Sequence, residues 1–130
     1  MKLNLWHEKL ISQLPKKHLL ETFRMCAALR GRGWGRKHAT VNYVFTHEPE
    51  RLVAYHWKIM DEMRKRGYNP SAIWYSPNWR GNIIGASKWC EVDKVNKFFH
   101  QDGNIYPEHN EEYLNECIQN LKDKGVEIGL

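Results

Sequence analysis

Between Arg24 and His38 the chain reads RMCAALRGRGWGRKH, which sets four arginines, a lysine and a histidine around three glycines and a tryptophan. Guanidinium and ammonium groups bind phosphates as charge partners. Glycines let a main chain approach a backbone closely, and an aromatic ring stacks on bases or wedges between them. This chemistry suits a polyanion; a solvated basic loop after a helix is the plainer account of the same residues. Other constellations are weaker. The seven histidines form no HExxH or other close ligand pair, so no metal is expected. His47, Glu48 and Glu50 read as loop and helix-start charge, His56 as a core histidine on an apolar face, and Glu108, His109, Glu111 and Glu112 as helix capping. Gly31, Gly33 and Gly35 follow no clear strand, which argues against a phosphate loop or a dinucleotide fingerprint, and no cofactor is expected.

The elements that must position these groups come from a chain of 130 residues, enough for one domain with one core. The net charge of +5 is unevenly spread: residues 1–66 carry 14 Lys/Arg against 6 Asp/Glu, and residues 67–130 carry 6 against 9. The basic face therefore belongs to the N-terminal half. Cys26, Cys90 and Cys117 are too few and too scattered for a disulfide framework or a zinc ribbon, and read as buried thiols in a reducing compartment. No apolar run approaches the roughly 18 residues of a membrane span, and the lysine-bearing start lacks the apolar core of a secretory signal. The expectation is a cytoplasmic monomer with no membrane contact.

The periodicity predicts helices. Leu5, Trp6, Leu10, Ile11 and Leu14 suit a short first helix ending near Pro15. Leu19, Leu20, Phe23, Cys26 and Ala27 form one stripe of a second, from Lys16 to about Leu29, which leaves Lys17, Glu21 and Arg24 opposite. Thr40–Phe45 is β-branched and aromatic and suits a short strand or a buried turn. Pro49 opens a third helix through Leu52, Val53, His56, Ile59, Met60 and Met63 to the basic end Arg64-Lys65-Arg66. Residues 68–86 read as an ordered, aromatic-rich loop. Trp89, Val92, Val95 and Phe99 suggest a further helix, and Tyr113, Leu114, Cys117, Ile118 and Leu121 a last one, capped by Asn110 and ended by Gly125. The fold class expected is all-α: a compact single-domain helical fold with long ordered loops.

The order of motifs resembles a known family. The N-terminus MKLNL, HLLETFR ending at Arg24, then Arg30, Arg36-Lys37-His38, MRKRGYN over Met63–Asn69 and Trp79-Arg80-Gly81 are similar to the pyrimidine-dimer DNA glycosylases of the phage endonuclease V type. The matched segments span roughly residues 1–82, with small insertions before His18 and between Met25 and Arg30. The resemblance implies an all-helical, compact, single-layer fold acting on double-stranded DNA. Members of that family flip a base out and attack the sugar C1′ with the N-terminal α-amine. They cut the glycosidic bond and then cleave the strand by β-elimination through an imine.

Carried over residue by residue, the resemblance makes the amine of Met1 the nucleophile and Lys2 its basic neighbour. Initiator methionine is normally kept before a side chain as large as lysine. An α-amine has a pKa of about 7.7–8, against about 10.4 for lysine, so a useful fraction is neutral at physiological pH. His18 and Arg24 fall near the flipped nucleotide and its phosphates, Arg30 on a second phosphate-directed arginine, and Arg36, Lys37 and His38 on the DNA backbone; Trp34 either stacks or plugs the core. One position departs from the pattern. The family places its essential glutamate directly after the arginine that matches Arg24, and here that residue is Met25, which can neither accept a proton nor hold an imine's charge. Glu21, one turn earlier on the same helical face, is the candidate replacement. If no carboxylate replaces the lost one, the protein is a non-catalytic relative that binds DNA or a nucleotide.

Overall fold

A computed structural model describes residues 5–31, 42–101 and 103–129. Its centre is the third helix that the periodicity predicts. Pro49–Lys65 (α3) starts with proline in the first turn, where the missing N–H has no intrahelical partner to lose. It buries Leu52, Val53, Ala54, Tyr55, His56, Ile59, Met60 and Met63, so most of its circumference is core. Against it pack Lys16–Arg30 (α1), Asn42–Thr46 (α2), Val92–His100 (α4) and two 3-10 helices, Glu8–Gln13 and Ala72–Tyr75. The last helix, Glu111–Asp123 (α5), buries Leu114, Cys117 and Leu121 in the same core. No strand occurs among the described residues beyond a single antiparallel bridge, Trp79 with Ala86. The protein is all-α, as expected.

Several elements differ from the sequence expectation. The first helix is a 3-10 helix confined to Glu8–Gln13, with Leu5 and Trp6 running in as irregular chain and the His7 imidazole capping it by accepting the Lys9 N–H at 3.1 Å. Apolar spacing over so short a stretch does not separate the two helix types. Thr40–Phe45 is neither strand nor turn in its described part. Asn42–Thr46 is a five-residue helix whose Val44 is fully buried, a case of tertiary packing overriding β propensity; Thr40 and Val41 lie outside the described residues. In α4 the buried pair is Val95 and Phe98, while Val92 is 49% exposed and Trp89 precedes the helix. The last helix matches expectation, with the Asn110 side chain accepting the Tyr113 N–H at 2.9 Å. All three cysteines are free thiols in buried positions.

Arginines stitch these elements together. Arg66, at the end of α3, reaches the carbonyls of Leu14 at 2.7 Å and Ile11 at 3.3 Å and pairs with Glu62 at 2.7 Å, tying α3 to the first 3-10 helix. Glu50, 6% exposed, accepts the Glu91 N–H at 2.9 Å and so satisfies a backbone donor at the start of α4.

Candidate nucleic-acid interface

The chain entering the fold is pinned at Leu5–His7. Leu5 is fully buried and its carbonyl accepts the Tyr113 hydroxyl of α5; the Trp6 carbonyl accepts the Tyr55 hydroxyl of α3 at 2.6 Å. Below them His7 stacks on His109 at 5.3 Å between centroids, and His109 stacks on Tyr113 at 5.2 Å. The Glu8 N–H points at His109 Nδ1 at 3.3 Å, which leaves the proton of a neutral ring on Nε2, donated to the Tyr43 hydroxyl at 3.0 Å. Burial pushes the His109 pKa down to about 3, helped by neighbouring His7. Read from sequence as a capping residue, His109 is instead the centre of an aromatic stack. No local spacing signals this, because Tyr106 and His109 precede α5 and tertiary packing alone brings His109 to His7.

This pinned segment meets the start of α1. The Trp6 ring stands edge-on to His18 at 5.8 Å, with Lys124 over the Trp6 face at 5.4 Å. His18 is half-buried. Its pKa is lowered first by burial and then by Lys124, while the Glu21 carboxylate acts in the opposite sense. Its Nδ1 is buried without a hydrogen-bond partner. Glu21 and Arg24 are exposed, whereas Met25 is half-buried and packs against the core. His18 of α1 thus stands beside the incoming chain, with exposed Glu21 one turn further along the helix and a thioether where the resembled family has a carboxylate.

Arg30 departs most from expectation. It is fully buried, not offered to a phosphate. One guanidinium nitrogen donates to the Trp74 carbonyl at 2.7 Å and to His56 Nδ1 at 3.2 Å; the other donates to the carbonyls of Ser76 at 2.6 Å and Trp79 at 2.8 Å. The indole of Trp74 lies 5.2 Å from the guanidinium carbon. Burial lowers the Arg30 pKa to about 10, so it stays cationic at neutral pH. Because it donates to His56 Nδ1, His56 is neutral, and burial together with the Arg30 charge holds its pKa well below the usual value. The reason is geometric. Arg30 ends α1 on the inward side, and the rigid fork of donors matches a loop that turns three carbonyls towards one point. Its own carbonyl in turn accepts Arg80 Nε at 2.7 Å.

Met1, Lys2, Trp34, Arg36, Lys37 and His38 lie outside the described residues. No cluster of three His, Cys, Asp or Glu suited to a metal ion occurs among the described residues, and none of the described helices is long and apolar enough to cross a membrane. A groove of about 250 Å³ between the first 3-10 helix and α3 is lined by Glu8, Asp61, Glu62, Lys58 and Lys65. Its mixed charge does not suit a phosphate.

The fold and site define an all-helical protein whose pinned amino-terminal chain lies against a helix leading into a strongly basic segment. A family model described as pyrimidine dimer DNA glycosylase matches residues 3–76, more than half of the chain, and the protein belongs to that family. No curated protein and no solved structure matches it.

Proposed function

We propose that the protein is a DNA repair glycosylase with abasic-site lyase activity, acting on pyrimidine dimers in duplex DNA through the α-amine of Met1. One observation carries the reading: Leu5–His7 is held by Tyr55 and Tyr113 with Trp6 against His18, so the chain at Trp6 lies against the helix that bears Glu21 and Arg24. Four residues of extended chain reach at most about 14 Å. In this mechanism the neutral amine attacks C1′ as the glycosidic bond breaks and the freed base, still joined to its dimer partner, takes up a proton; the C1′–O4′ bond then opens, leaving an imine at C1′. The resulting imine acidifies the C2′ hydrogens, and loss of one as a proton expels the 3′ phosphate. Glu21 is the nearby carboxylate able to take or give that proton. Lys2, His18, Arg24, Arg36, Lys37 and His38 supply cationic or donor groups for the nucleotide and its phosphates, and Trp34 an aromatic face. Arg30 serves the site from inside, as the clamp that joins α1 to the loop after α3.

Borohydride trapping on abasic-site duplex tests this reading. A covalent adduct on the peptide carrying Met1 is expected, and its absence with an unblocked amine would sink the lyase activity. Glu21→Gln should slow strand cleavage by about 10²-fold if that carboxylate moves the proton, and Met25→Glu should raise the rate by a similar factor by restoring a carboxylate to the family position. A second reading, DNA binding without cleavage, is favoured by the exposure of Glu21 and the apolar packing of Met25. It predicts salt-sensitive binding that survives acetylation of the N-terminus.

A further inference from the structure

The loop clamped by Arg30 ends in a small, rigid hairpin beyond the family match. Trp79 bridges Ala86, the Arg80 N–H donates to the Gly85 carbonyl at 3.1 Å, and the Gly85 N–H donates to the Gly81 carbonyl at 2.7 Å. Gly81 and Gly85 take positive φ of 98° and 74°, a conformation that closes the turn without the penalty a side chain would add. The base is held on all sides. Asn78 accepts the backbone N–H groups of Trp89 at 2.9 Å and Cys90 at 2.7 Å, the Arg80 guanidinium lies 4.5 Å from the Trp89 ring centre, and Arg80 anchors to the Arg30 carbonyl. On this base the tip carries Asn82, Ile83 and Ile84, with Ile83 71% and Ile84 40% exposed.

An isoleucine displayed to water on an anchored turn contributes little to folding. Its surroundings state what it is displayed to. Residues 63–90 contain Arg64, Lys65, Arg66, Arg80 and Lys88 and no Asp or Glu. On α1, which Arg30 clamps to this loop, Arg24 is exposed and no Asp or Glu occurs from Thr22 to Gly31. An apolar tip on a segment that itself carries exposed Arg64, Lys65 and Lys88 and no carboxylate of its own is an arrangement that pushes between base pairs while the flanking charges hold phosphates. Because the base is rigid, inserting the tip costs little ordering.

We propose that Ile83, supported by Ile84, is a wedge that enters the base stack of duplex DNA beside the bound site. The proposal rests on the DNA-binding reading above and adds the element that opens the stack. It is tested with the full-length protein and a duplex carrying a tetrahydrofuran abasic analogue next to 2-aminopurine. The wild type should bind and raise the 2-aminopurine fluorescence as the neighbouring bases unstack. Ile83→Ser with Ile84→Ser should weaken binding about tenfold and abolish the fluorescence rise, while the slope of affinity against salt stays unchanged because phosphate contacts remain. Ile83→Phe should retain the signal. The double variant changes only exposed side chains, and an unchanged melting temperature would verify its fold.

Wild-type binding with equal fluorescence from the double variant would overturn the wedge and leave the DNA reading standing. Failure of the wild type to bind duplex would overturn both. Self-association of the wild type lost in the double variant, with DNA binding unaltered, would assign the tip to a protein contact instead.

Discussion

Arg24 and Arg30 lie on one helix, six residues apart, and do opposite work. Arg24 is exposed, with its charge available to a ligand, and Arg30 is fully buried with its two terminal guanidinium nitrogens spent on three carbonyls and a histidine. Arg24→Ala should change stability by less than about 0.5 kcal/mol and lower the salt dependence of DNA affinity by about one unit of slope. Arg30→Ala should cost about 3–5 kcal/mol, because it vacates a large buried volume and strips three carbonyls of their donors. Chemical denaturation of the two variants beside a binding titration separates the roles; equal stability losses would refute the distinction. From sequence the two arginines looked alike, since helical spacing reports angle around the axis and not what another segment will place at the helix end.

At the scale of elements, the joint between α1 and the aromatic loop matters most. Gly31 closes α1 where the chain crosses Arg80, and a Cβ there would stand 2.9 Å from the Arg80 carbonyl oxygen. Neither backbone can yield cheaply, because Arg30 and Arg80 bind the two segments reciprocally. Gly31→Ala should therefore cost about 1–3 kcal/mol of stability by overpacking, seen as a lower denaturation midpoint, and should weaken DNA binding through the displaced hairpin. A variant as stable and as tightly binding as the wild type would show that the joint is soft. The long helices α3 and α5 were legible from periodicity and caps. The 3-10 form of the expected first helix at Glu8–Gln13 and the short helix Asn42–Thr46 were not, because elements of five or six residues take their form from what they pack against.

The whole molecule stores several neutral histidines in its interior. His7, His56 and His109 all have pKa values lowered mainly by burial, and His109 sits at about 3. The unfolded chain takes up protons near pH 6.5 that the folded chain refuses, so the histidine contribution to stability is level above that pH and falls as the pH drops from 6.5 towards 3. One fully held histidine accounts for about 2 kcal/mol of loss by pH 5, before most carboxylates titrate. Melting temperatures should accordingly fall between pH 6.5 and pH 5, and His109→Gln should flatten that fall; a level profile would contradict it. The sequence by itself determined the helical class, the main helices, the basic segment and the family, because periodicity, charge and motif order are properties of one dimension. Only the tertiary structure decided that Arg30 is a clamp, that His109 pins the incoming chain, and that Ile83 stands out on a rigid base. Each of those roles depends on which distant carbonyl, ring or backbone turn meets the side chain, and no local spacing encodes that.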